Sequence, residues 1–224
     1  MFLDSLARRY RDSSMPIISL DVEDSSRPGI ASLQSMADVL LFSGEDISMQ
    51  GFTRIPFLLD KMRKEGMSIN QMITGFNMKQ SSVLFITLGS AGCLMLYSSE
   101  CRFPKPTLLD HSGGVWHSSS TAGLRSRILT TLDGQQGIRP QQGCPQDGNA
   151  NHETVSWTML EIGPLPNCHP IVETVGAGDT FNAGIIFGLS QGLDVLAAGK
   201  LGNTIAGRKC MQVGFEGLWF MEDR

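Results

Sequence analysis

Glu173-Thr174-Val175-Gly176-Ala177-Gly178-Asp179-Thr180-Phe181-Asn182-Ala183-Gly184 reads as a glycine turn that delivers one carboxylate into the first turn of an apolar helix. Gly176 and Gly178 let the backbone bend sharply and approach a ligand with no Cβ in the way, so successive N–H groups can point at an anion. The first N–H groups of the following helix have no intrahelical acceptor. With the helix dipole they place partial positive charge where a phosphoryl group would sit. Asp179 stands beside that charge, placed to take a proton from an attacking hydroxyl while the amides stabilise the phosphoryl oxygens. The same residues also suit an ordinary N-cap, with Asp179 or Thr180 accepting from free N–H groups.

Working outward, Phe181, Ile185, Ile186 and Leu189 recur at helical spacing, with Gly184 and Gly188 thinning the helix for packing and Gly192 suited to its end. Asp194 then caps a second helix, expected through Ala206. Upstream, Ile17 to Val22 reads as a strand, Ile30 to Met36 as a short helix, Asp38 to Phe42 as a second strand and Ile55 to Lys64 as an amphipathic helix. Val83 to Leu88, Cys93 to Tyr97 and Val155 to Ile162 are further strand-like runs. Alternation of apolar strands with helices predicts a parallel sheet covered by helices. Asp179 would then lie at a helix N-terminus facing the carboxyl ends of strands, where open α/β sheets bind ligands. Asp21 and Glu23, on one face at a strand end, read as solvated charges rather than as a catalytic pair.

The composition shifts between these parts. Residues 104–153 are rich in Gly, Ser, Gln, Pro and Asn, as in Pro140-Gln141-Gln142-Gly143-Cys144-Pro145, and predict a disordered or poorly ordered insertion. It divides 1–103 from 154–224.

With 224 residues and 41% hydrophobic content the chain can bury a substantial core. Its net charge of -4, with no dense Lys/Arg cluster, points to neither nucleic acid nor an anionic membrane as partner. Arg8, Arg9 and Arg11 suit a solvated helix end. Five cysteines, odd in number and without C-x-x-C spacing, suggest a reducing compartment, and the four histidines lie in loop-like sequence that does not predict a metal cage. The first residues carry an acid before any apolar run, unlike a secretory signal, and no segment reaches membrane-spanning length. The expected location is cytoplasmic.

The run from Ile171 to Phe220, through Gly-Ala-Gly-Asp-Thr-Phe and on to Ala206-Gly207-Arg208-Lys209-Cys210 and Gly214-Phe215, resembles the C-terminal end of the PfkB, or ribokinase-like, carbohydrate kinases, and within them the ketohexokinase-like members. Glu173 stands where that family usually has Asp. The resemblance implies a ribokinase-like three-layer α/β/α sandwich with a mostly parallel sheet. It also implies transfer of the γ-phosphate of ATP to a sugar hydroxyl, with Mg2+ and a monovalent cation such as K+ as accompanying ions. Asp179 matches the family's base, and Gly176, Ala177 and Gly178 its anion hole. Gly89, Ser90, Ala91 and Gly92 resemble a nucleotide-contacting strand-turn, although they also suit a plain hairpin turn. Gly202, Asn203, Ala206 and Cys210 fall where the family lines its adenine pocket; close helix packing explains the glycine equally well. Ser43 and Asp46, in Ser43-Gly44-Glu45-Asp46, occupy the place of the family's Asn-x-x-Glu motif, which orients magnesium through water. Ser43 as N-cap with Asp46 at N3 is the alternative.

By this resemblance the sequence starts near the middle of such a kinase. Its sugar-binding portion, with the Gly-Gly signature and the small β lid through which two copies often pair, is expected to be absent. A hydroxyl must be held in line with the γ-phosphate for fast transfer. Two functions therefore follow as expectations: an ATP-dependent sugar kinase, or a truncated, non-catalytic nucleotide-binding or interaction protein.

Overall fold

The computed structural model describes residues 16–24, 26–44, 75–107, 115–117, 125–132 and 155–218. In chain order the elements are β1 (Ser19–Val22), α1 (Ile30–Gln34), β2 (Val39–Ser43), β3 (Val83–Thr87), a 3-10 turn (Gly89–Ala91), β4 (Cys93–Ser98), β5 (Val115–His117), β6 (Arg125–Leu132), β7 (Trp157–Ile162), α2 (Ala177–Ser190) and α3 (Val195–Cys210). The amphipathic helix expected at Ile55 to Lys64 lies outside the described residues.

The described strands form one mixed seven-stranded sheet in the order β1-β2-β3-β4-β7-β6-β5. The expected parallel arrangement holds for β1, β2 and β3, with Leu20 beside Leu40 and Leu40 beside Leu84. It ends at the 3-10 turn, where β3 folds back onto β4 in antiparallel register, Phe85 opposite Met95. The reason is chain length: five residues separate these strands, whereas a crossover to a parallel neighbour needs a dozen or more. Leu88 N–H closes the hairpin on Gly92 O at 2.8 Å. β5 and β6 fall inside 104–153, where the composition predicts poor order, and β6 pairs antiparallel with β7.

The apolar runs of β2, β3 and β4 are buried on both faces, which is why they lack polar alternation. Leu40, Phe42, Leu84, Ile86, Leu94 and Leu96 point to one core, with Phe76 and Trp157. Val39, Leu41, Val83, Phe85, Met95 and Ile162 point to the other, where Phe181, Ile185 and Leu189 of α2 and Val195 and Ala198 of α3 cover the sheet. α2 and α3 approach closely because glycines face each other: a Cβ on Gly184 would stand 2.8 Å from Gly202 Cα.

Asp38, buried at the amino ends of the parallel strands, ties this end of the sheet together. It accepts from Ile18 N–H at 2.9 Å, Lys79 Nζ at 2.8 Å and an Arg102 guanidinium nitrogen at 2.8 Å. The opposite, carboxyl end is left for the functional groups.

Candidate functional site

The glycine turn opens α2 as its sequence suggests. Gly176 is the N-cap in left-handed conformation, φ 78°, with no side chain capping the helix. Such a φ disfavours any residue with a Cβ. The Gly176 carbonyl accepts both Thr180 N–H at 2.9 Å and Thr180 Oγ1–H at 2.7 Å, while Ala177 N–H goes to Thr174 O at 3.1 Å. The N–H groups of Gly178 and Asp179 find no acceptor among the described residues. Two adjacent free donors at a helix N-terminus, with an exposed carboxylate at Asp179, are what an incoming phosphoryl group needs. Asp179 is therefore no N-cap; the capping position belongs to Gly176, and Thr180 spends its hydroxyl on the Gly176 carbonyl.

A second carboxylate reaches the same place from β1. Asp21 Oδ2 accepts from Asn182 Nδ2 at 2.8 Å, joining residues 161 apart in sequence, and Asn182 lies three residues after Asp179. Partial burial, then the charges of Glu23 and Asp179, push the Asp21 carboxyl above its ordinary value, and the bond from Asn182 pulls it back. Asp21 is exposed at the strand end, as its sequence suggests, and adds to this one contact with α2. Only proximity in the fold reveals it, since nothing in the spacing of Asp21 and Asn182 signals a contact. Among the described residues no three His, Cys, Asp or Glu side chains converge as a metal site.

Ser43 ends β2 beside Thr87 of β3, at the same carboxyl edge of the sheet; Asp46 lies outside the described residues. Gly89, Ser90 and Ala91 are exposed at the tip of the β3–β4 hairpin, and Gly92 is buried against the end of β7, where a Cβ would collide with Ile162 O. The turn closes the hairpin and leaves Gly89 to Ala91 open at its tip.

On α3, Gly202 faces α2, where a Cβ would stand 3.0 Å from Phe181 O. Asn203 is buried and donates Nδ2–H to Ile162 O at 3.2 Å and Gly163 O at 3.0 Å, fastening α3 to the end of β7. Ala206 packs against the core under α2. The Cys210 carbonyl accepts from Val172 N–H at 2.7 Å and Glu173 N–H at 3.2 Å, bringing the end of α3 beside the segment that leads into the glycine turn.

The pfkB family carbohydrate kinase family matches residues 161–216. Ketohexokinase of Mus musculus is 50% identical over 48 residues, 21% of this chain and 16% of that protein. An uncharacterized sugar kinase of Archaeoglobus fulgidus is 42% identical over 52 residues, 23% of this chain and 20% of that protein. Ribokinase from Cryptococcus neoformans, solved in complex with ADP, superposes with a TM-score of 0.50 at 13% identity, covering 96% of this chain and 51% of that one. The chain therefore spans about half the length of that ribokinase, and the likeness at this identity concerns the fold. Among the described residues no helix is long and apolar enough to cross a membrane. On a ribokinase-like α/β fold, the segment that carries the glycine turn, residues 161–216, matches the pfkB family of carbohydrate kinases.

Proposed function

We propose that the chain carries the phosphoryl-transfer site of an ATP-dependent sugar kinase, with Asp179 as general base. The observation that supports this most directly is the pair of free N–H groups of Gly178 and Asp179 set against the Asp179 carboxylate. The donors would meet the transferring phosphoryl oxygens, where charge accumulates in the transition state. The carboxylate would accept the proton of the sugar hydroxyl as the oxygen–phosphorus bond forms. Asp21 holds Asn182, one turn along the same helix, and so steadies the turn that presents Asp179.

Gly89, Ser90 and Ala91 at the exposed hairpin tip and Cys210 at the end of α3 are the proposed nucleotide-facing residues, while Gly92, Gly202, Asn203 and Ala206 are engaged in packing and backbone hydrogen bonds. Magnesium, held through water and phosphate by Asp21 or Asp179 and by Ser43 and Asp46, would neutralise charge on the nucleotide phosphates. A cytoplasmic setting, where ATP and free sugars are both present, accompanies this reading.

The test is ADP formation by the purified chain with ATP, Mg2+ and a panel of ketoses, aldoses and nucleosides, beside Asp179→Ala. Sugar-dependent turnover that falls by about 10²–10⁴ in the variant is expected for loss of a general base. No sugar-dependent turnover above the variant would refute the kinase reading for this chain. Retained ATP binding without turnover would identify a non-catalytic nucleotide-binding protein instead.

A further inference from the structure

Beneath the glycine turn lies an enclosed cation that phosphoryl transfer does not use directly. Lys209, in the last turn of α3, is fully buried, 0% exposed. Its Nζ donates to Glu173 Oε2 at 2.6 Å and stands 5.1 Å from the centre of the Phe215 ring. The same carboxylate oxygen accepts Gly214 N–H at 3.3 Å. Phe215 in turn covers Gly176: a Cβ there would stand 2.5 Å from Cζ of the ring. Glu173 precedes Gly176 by three residues, and its own N–H is bound to Cys210 O. The contacts close a loop, from the end of α3 through Lys209 to Glu173, along the chain to Gly176, and back through Phe215 and Gly214 to Glu173.

An ammonium removed from water is costly unless paired, so Lys209 commits Glu173 to one position. It also faces the ring, whose π-cloud attracts a cation. Glu173 and Phe215 hold the turn from opposite sides, at residue 173 and at residue 176. What lies between and just after them is the segment whose free N–H groups face outward.

We propose that Lys209 is a positioning residue: its enclosed ammonium holds Glu173 and the Phe215 ring, and through them keeps the Gly176–Asp179 turn in its anion-receiving shape. The functional part of this inference rests on reading that turn as a phosphate site; the structural part does not.

The experiment uses Lys209→Met, which keeps length and removes charge, with Lys209→Arg as the conservative variant. Phe215→Ala breaks only the ring contact and serves if Lys209→Met does not fold. Amide hydrogen exchange over 174–179 is measured without ligand, and calorimetry compares ATP with adenosine. Lys209→Met is expected to speed exchange in that segment, and to weaken ATP by about tenfold or more, the scale of one charge-assisted hydrogen bond, with adenosine unchanged. Lys209→Arg should restore much of both, and Phe215→Ala should loosen the amides nearest Gly176.

Unchanged exchange over 174–179 in both Lys209→Met and Phe215→Ala would overturn the proposal, as would equal loss of ATP and adenosine, which marks general damage. If the unaltered chain binds neither ligand while exchange responds as expected, the positioning role stands and the phosphate reading falls.

Discussion

Two glycines of the same turn are expected to respond oppositely to alanine, because one is required by the fold and the other by the ligand. Gly176 has φ 78° and its Cβ would stand 2.5 Å from the Phe215 ring. Left-handed backbone costs an alanine about 1–2 kcal/mol. Displacing the ring adds to this, toward the lower end of the about 1–3 kcal/mol typical of overpacking, because Phe215 is 57% exposed and can swing outward. Together these give about 2–3 kcal/mol, a fall in Tm of roughly 4–12 °C for a chain of this size. Gly178 lies inside the helix, without a positive φ, and a Cβ there would meet no neighbour within 4 Å. Alanine at this position recovers up to about 0.5–1 kcal/mol of helix propensity, so Tm should hold or rise by roughly 1–4 °C. Its methyl nevertheless projects beside the free N–H groups, where an anion must come close. Gly178→Ala should therefore weaken ATP while leaving the fold intact; Gly176→Ala should damage both. Thermal unfolding by circular dichroism and ATP titration measure the two effects. If Gly178→Ala lowers Tm as far as Gly176→Ala, or leaves ATP affinity untouched, the assignment of roles is refuted.

Two further predictions concern the ends of the sheet. The Asp21 carboxyl is raised above its ordinary value, so the native state holds that proton more tightly than the unfolded chain and ionised Asp21 weakens the fold at neutral pH. Asp21→Asn keeps an acceptor for Asn182, should raise Tm at pH 7, and should lose that advantage as pH falls through the raised value; a gain persisting at pH 3 contradicts this origin. Asp38→Ala removes the charged acceptor of Lys79 and Arg102, which keep the Met36 and Pro16 carbonyls, and the acceptor of the Ile18 N–H. With the two cations about one-third exposed and able to rehydrate, the cost should lie at the low end for breaking a buried pair, about 3 kcal/mol in urea unfolding. A loss below about 1 kcal/mol would show that the network is replaced by water.

Much of the architecture was legible because its causes are local. The apolar runs of β2, β3 and β4 mark buried strands wherever they end up in space. Asp194 announces α3, and its Oδ1 accepts Ala197 N–H at 2.8 Å. Gly-Ala-Gly-Asp announces a helix start with free donors because only backbone geometry within a few residues is involved. Boundaries moved where tertiary contacts extended an element, as when α3 runs to Cys210 rather than stopping at Ala206. The β5 and β6 strands, within a stretch of low apolar content, were not legible, since pairing with β7 rather than any periodicity of their own defines them.

The candidate site divides the same way. By itself the sequence determined the carboxylate, the turn and the family likeness around them, all carried by contiguous residues whose conformation follows from glycine and helix-end chemistry. Tertiary structure alone decided that Asp21 meets Asn182, that Gly202 is spent on packing against α2, and that Lys209 lies under Glu173. Those contacts depend on which strand lies beside which helix, and that is settled by burial of the two cores on either side of the sheet rather than by any spacing along the chain.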